Sequence, residues 1–186
     1  MRTDFRPGAL LALVLLTATA VAGCAPPEAD TRFEPTVVIA VRHAERAEDG
    51  TSDPPISEAG AERARLLAEM LSDAGVTHVH TTDLNRTRST GQPTADAAGL
   101  SMEVYDPRDL TGLAARLTEN PGGRHLVLGH SNTTPDLVAA LGGDPGSPID
   151  EMEYDRLYMV TVTARGVSTV LLRFGEPFTP EEPAGQ

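Results

Sequence analysis

The chain has 186 residues, 40% of them hydrophobic, which suits one ordinary globular domain with a real core. A formal net charge of -12 opposes adsorption to nucleic acid or to anionic surfaces, so no nucleic-acid partner is expected. Every basic side chain is Arg, and the lack of Lys excludes a P-loop lysine and a Schiff base.

Arg2 and Arg6 precede a nearly unbroken apolar run over 9–23, the n-region and h-region order of a signal peptide over 1–23. The run is too short and too diluted with Ala and Thr to span a bilayer, which takes about 20 mostly apolar residues. Val21-Ala22-Gly23-Cys24 resembles the lipobox of bacterial lipoproteins. That resemblance implies that Cys24 is lipidated and becomes the mature N-terminus, so the protein is expected to be exported and lipid-anchored to the bacterial cell envelope. Each buried acyl methylene contributes about 0.8 kcal/mol to such an anchor. Cys24 is the only cysteine, so no intramolecular disulfide can form. Residues 24–35, rich in Pro, Glu and Ala, read as a flexible tether, with a folded domain over 36–176 and a polar tail over 177–186.

Within the domain, the β-branched run TVVIAV over 36–41 predicts a strand buried on both faces, which sets Arg42 and His43 at its C-terminal end. Ser57 precedes a helix over 58–71, whose Ala61, Ala64, Leu67, Ala68 and Leu71 recur at helical spacing before Gly75 stops it. A second strand is expected over 76–80, leading into polar TTDLNRTRST. The next helix, to about Ala98, is expected to be irregular or to start late, because Gly91 and Pro93 interrupt its pattern. A short strand over 102–105, a short helix over 110–117, a third buried strand over 125–128 and a helix over 134–141 follow. The runs 158–163 and 168–174 flank Ala164-Arg165-Gly166 and read as a hairpin or adjacent strands.

Alternating strands and helices imply a three-layer α/β/α sandwich around a mainly parallel central sheet, whose ligands gather at the C-terminal ends of the strands. Three polar clusters would meet there: Arg42-His43, Asp83 to Arg86, and His130.

VRHAER, PISEAG, TTDLNRTRS and LVLGHSNT, in that order and each at an expected strand end or helix start, resemble the histidine phosphatase superfamily. The resemblance covers nearly all of residues 36–174 and implies a phosphoglycerate mutase-like fold. It also implies that His43 is the nucleophile, that Arg42, Arg86 and His130 form the phosphate pocket, and that no cofactor is needed. The expected activity is hydrolysis of phosphoesters or phosphohistidine through a covalent phosphohistidine, on a phosphorylated small molecule or phosphoprotein. The chemistry asks for these residue types. A neutral imidazole is nucleophilic at neutral pH, and its attack splits hydrolysis into two easier displacements. Guanidinium forks match the three equatorial oxygens over which phosphoryl transfer spreads charge.

Arg46 completes R-H-x-x-R, a spacing shared with the acid phosphatase branch, where the extra Arg also touches phosphate. In that branch the general acid is an Asp after the second His, but Ser131 and Asn132 stand there in this chain. In the mutase-like branch the acid is a Glu from the segment ahead of the second His. The nearest carboxylates here are Glu103, Asp106 and Asp109, with Asp106 the first choice. Without an acid the chain is similar to the small phosphohistidine phosphatases, whose good leaving group needs less help. Glu45 is expected to orient the loop.

Four other readings compete. His78-x-His80 places two imidazoles on one strand face, but no Cys or acidic third ligand lies close in sequence, so no metal is expected. Gly129-His130-Ser131-Asn132-Thr133 is similar to the elbow of serine esterases, with Ser131 as nucleophile. That reading leaves Arg42, His43 and Arg86 idle and needs a later His, which the chain lacks. A phosphate-binding lipoprotein without turnover is the non-catalytic rival. Mutase activity is the second enzymatic rival, although the stretch between Arg86 and His130 is short for a substrate-enclosing insertion.

Overall fold

A computed structural model describes residues 34–119 and 121–180. The expectations for the signal peptide, Cys24 and nearly all of the tether therefore lie outside the described residues. Six strands, β1 (Thr36–Arg42), β2 (His78–Thr81), β3 (Met102–Val104), β4 (Arg124–Gly129), β5 (Arg156–Thr163) and β6 (Gly166–Arg173), form one sheet in the order β3-β2-β4-β1-β5-β6. The β3-β2, β2-β4 and β4-β1 pairs are parallel, whereas β5 pairs antiparallel with both β1 and β6. The two late runs thus form an antiparallel hairpin that extends an otherwise parallel sheet.

Four helices cover the sheet: α1 (Glu58–Met70), α2 (Asn85–Ala98), α3 (Leu110–Thr118) and α4 (Thr133–Ala140). Because side chains alternate along a strand, β1 supplies both cores. Ile39 and Val41 pack with Leu67, Leu71 and Ala95 beneath α1 and α2. Val38 and Ala40 pack with Leu113, Leu117, Leu137 and Val138 beneath α3 and α4. This is the expected three-layer α/β/α sandwich.

The helix starts follow from capping. The Ser57 hydroxyl accepts from Gly60 N at the start of α1, and the Asp109 carboxylate accepts from Gly112 N at the start of α3. The expectation for α2 is corrected: this helix starts promptly at Asn85 and runs unbroken through Pro93. Its first turn has no cap from Leu84; Asp53, from a distant loop, accepts from Asn85 N instead. Gly91 does not interrupt the helix either. A Cβ there would lie 2.9 Å from Leu128 Cδ2 and 3.2 Å from Met102 Sδ, so glycine lets α2 approach the sheet closely. Beyond β6, Phe174 is buried in the α1/α2 core, and Phe178 N donates to Asp155 Oδ2 at 3.1 Å. The beginning of the expected tail therefore packs on the domain.

Candidate active site

The strand register creates the site. Arg42 pairs with Gly129, and His43 N donates to Gly129 O at 2.9 Å, so the chain just beyond β1 lies beside His130, just beyond β4. The two imidazole rings stand 5.4 Å apart, centre to centre, at 64°. Arg86 reaches the same place from the first turn of α2. Thr90 Oγ1 links that helix to the first loop, accepting from Ala44 N at 2.9 Å and donating to Arg86 O at 2.7 Å.

His43 is only 4% exposed, and its Nδ1 lies 2.7 Å from Ala44 O. A carbonyl can only accept, so Nδ1 carries the proton and Nε2 keeps the lone pair. Burial, reinforced by the charges of Arg42, His130 and Arg86, pushes the His43 pKa down to about 3. The ring is therefore neutral throughout the physiological range. His130 is pushed down to about 4 by burial and by Arg86 and Arg42. Its Nε2 lies 3.1 Å from Thr82 Oγ1, which lies 2.8 Å from Thr87 Oγ1.

Arg42 is buried and held rigidly. Its Nη1 donates to Asp150 O at 2.8 Å and Glu153 O at 3.1 Å, and its guanidinium sits 4.1 Å from the centre of the Tyr154 ring. Its buried Nε has no partner among the described residues. Arg86 lies 3.6 Å from Asp53 Oδ1. Arg46 is half exposed and lies 3.7 Å from Glu151, whose other carboxylate oxygen is 3.8 Å from Arg42 Nη2. The structure thus brings Arg42, His43, Arg86 and His130 together and places Arg46 beside Arg42 at the rim.

Asp106 is the exception. Its carboxylate accepts from Arg108 N, Nε and Nη2, and these bonds hold its pKa down at about 2. An exposed, ionised carboxylate engaged by its neighbour has no proton to donate in this arrangement, which does not favour Asp106 in its expected role of general acid. Glu45 meets its expectation: it accepts from Arg63 Nε and Nη2, and Arg63 Nη1 donates to Phe174 O, tying the first loop to α1 and the end of β6. Sequence reasoning missed Asp53, Thr82, Thr90, Glu151 and Tyr154. Thr82 and Thr90, inside the TTDLNRTRST segment, carried a local signal; Asp53, Glu151 and Tyr154 reach the site through loops distant in sequence.

The site thus joins a buried imidazole, His43, to His130, Arg42 and Arg86. Residues 38–110 match the histidine phosphatase superfamily, branch 1. The protein named "Probable phosphoglycerate mutase GpmB" from Yersinia pestis (strain Pestoides F) is 43% identical over 77 residues, or 38% of this chain and 35% of that protein. The chain thus spans about a third of the length of the curated relatives it matches. The structure of the protein histidine phosphatase SixA complexed with tungstate superposes with a TM-score of 0.59 at 24% identity, covering 73% of this chain and 94% of that one. A phosphoglycerate mutase from Plasmodium falciparum superposes with a TM-score of 0.52 at 16% identity, covering 82% and 99%. At these identities the structural likeness carries the fold, and the fold is phosphoglycerate mutase-like.

Proposed function

We propose that the chain is a histidine phosphatase that hydrolyses phosphoesters or phosphohistidine through a phosphohistidine formed on His43. The observation that carries this reading is the neutral His43 ring, oriented by Ala44 O and surrounded by Arg42, Arg86 and His130. In the first displacement Nε2 forms a bond to phosphorus while the bond to the leaving oxygen breaks. Charge developing on the equatorial oxygens is met by the guanidinium groups of Arg42 and Arg86. In the second displacement water attacks phosphorus, the P–N bond breaks, and His43 returns to its neutral form with release of inorganic phosphate.

Two features favour hydrolysis over phosphoryl transfer between hydroxyls. Between α2 and β4 the described residues hold only β3 and α3, so no long insertion covers the pocket. Arg46 and Glu151 at the rim are both open to water. The substrate class consistent with this site is a phosphorylated small molecule or phosphoprotein at the cell envelope. The sequence around Cys24 supports lipid anchoring there, and Cys24→Ala is expected to move the protein from the membrane to the soluble fraction.

The decisive experiment is rapid quench with a labelled aryl phosphate, followed by peptide mapping in alkali. Label is expected on the peptide containing VRHAER, stable in alkali and lost in acid, and His43→Ala abolishes both label and turnover. Label on Ser131, or near-normal turnover by His43→Ala, sinks the mechanism.

A further inference from the structure

The remaining three histidines form a second cluster away from His43. The sequence offered His78 and His80 as a pair on one strand face but no third donor nearby. Sheet pairing supplies two more candidates: on one side of β2, His78 stands opposite His125 of β4, and on the other side His80 stands opposite Glu103 of β3. His80 Nε2 lies 3.1 Å from His125 Nδ1, and His80 Nδ1 lies 3.6 Å from Glu103 Oε2. The His78 ring stacks on His125 with centres 4.7 Å apart at 23°. All four side chains line a cleft beneath α3, whose far wall includes Arg116 and Leu117.

We propose that His78, His80 and His125 form a binding site for a divalent transition metal ion of the zinc type, with Glu103 holding His80 in place. Imidazole donors select zinc, copper and nickel over magnesium and calcium. Two histidines at i and i+2 project from one strand face, and the adjacent strand, about 4.8 Å away, brings the third within reach. Three nitrogen ligands with water in the fourth position is an established zinc arrangement. The 3.1 Å between His80 Nε2 and His125 Nδ1 is close to the edge of about 3.3 Å of a tetrahedron with bonds of about 2.05 Å. An ion there replaces the proton that the two nitrogens now share. The second ring nitrogen of His80 faces a carboxylate, which is the usual partner for a metal-bound imidazole.

His78 completes the set by turning. Among the described residues no group of three donors already stands at ligand distances, and the His78 ring is now held through Nδ1 by Thr77 Oγ1 at 2.8 Å. His78 is exposed beside the open cleft, so its rotation gives up the Thr77 contact and the stacking on His125 but disturbs no buried core. Arg116 opposes a cation and Glu103 favours one.

The test uses untagged protein and Zn²⁺ alone, with stoichiometry read after desalting and affinity read by calorimetry. Co²⁺ in its place reports geometry through its visible absorption. One retained ion per chain is expected. His78→Ala, at an exposed position, should weaken binding at least ~10-fold with the metal-free melting temperature unchanged, and Glu103→Gln should weaken it ~10–100-fold. Arg116→Ala should tighten it. His43→Ala should retain the ion, which separates this site from the phosphate pocket. No retained ion, undiminished retention in His78→Ala, or loss of the ion in His43→Ala overturns the proposal. Phosphatase turnover enters none of these readouts, so the two proposals stand or fall separately.

Discussion

Two histidine clusters lie on one sheet, and burial acts on both in the same way while their neighbours differ. His43 and His130 sit beyond the C-terminal ends of β1 and β4, among Arg42 and Arg86. His80 and His125 sit within β2 and β4, between Glu103 and His78. In each pair burial is the main cause of a depressed pKa, so all four rings are neutral near pH 7. A neutral imidazole has no preference of its own between an anion and a cation. The surrounding charges differ: arginines at the first cluster favour an anion, as the proposed phosphatase reading requires, whereas the carboxylate at the second favours a cation, as the proposed metal site requires.

Removing the charge that defines the first cluster should produce the largest effect. Arg86→Ala is expected to lower kcat/KM by ~10²–10³-fold, the usual loss when one preorganised donor to a transition-state oxyanion is deleted. Melting temperature should barely move, because Arg86 is partly exposed and its nearest ionic partner, Asp53, is 3.6 Å away. A large loss of melting temperature with retained specific activity would instead make Arg86 a structural residue.

The shared burial predicts a shared response to acid. Below pH 6.5 the unfolded chain takes up protons on these histidines while the folded chain does not, so the unfolded state binds more protons and stability falls as pH falls. Each histidine contributes a slope of about 1.4 kcal/mol per pH unit from 6.5 down to its folded pKa, about 3 for His43 and about 4 for the other three. Urea unfolding across pH 4–7 checks this, and His80→Gln should lower the slope by one histidine's share. Turnover should follow the same logic: once the substrate's own ionisation near pH 6 is divided out, kcat/KM should not bend at 6.5. A bend there would mean that the His43 ring titrates normally and is less buried than its 4% exposure indicates.

Smaller effects should come from the groups that hold the rings. Thr82→Val removes the hydroxyl 3.1 Å from His130 Nε2 while keeping its volume, and should slow turnover ~10-fold, about the worth of one hydrogen bond. Metal affinity at the second cluster should stay unchanged, although Thr82 lies only two residues beyond His80. Loss of both properties would mean that β2 couples the clusters.

The legibility of the two clusters in the sequence differed for a physical reason. Arg42, His43 and His130 follow short apolar β-branched runs directly, so a strand-end argument places them without knowledge of the sheet order. The His78, His80, His125 and Glu103 group exists only through the β4-β2-β3 pairing, which no local pattern encodes. The same holds for Asp53, which caps α2 from a loop, and for Glu151, which arrives from the segment before β5. Gly91 and Pro93 misled because both are read locally as breakers. Here the glycine meets a tertiary packing demand, and the helix tolerates the proline.

The carboxylates at the first cluster give the finest test of how neighbours set function. Asp106 was the sequence's choice for proton donor, yet three bonds from Arg108 keep it ionised, with a pKa of about 2. Asp106→Asn should therefore leave kcat and KM within ~2-fold for aryl and alkyl phosphates alike, as expected for an exposed surface pair. Glu151 is different, because its carboxylate lies 3.8 Å from Arg42 and 3.7 Å from Arg46, where an incoming phosphate seeks the same partners. Glu151→Gln removes that competing anion and should lower KM ~2–5-fold, within the range of an exposed ion pair. Steady-state kinetics on one aryl and one alkyl phosphate separates the two residues. A tenfold or greater fall in alkyl phosphate turnover by Asp106→Asn, with aryl phosphate turnover preserved, would restore Asp106 as the proton donor. It would also show that substrate binding breaks the bonds from Arg108.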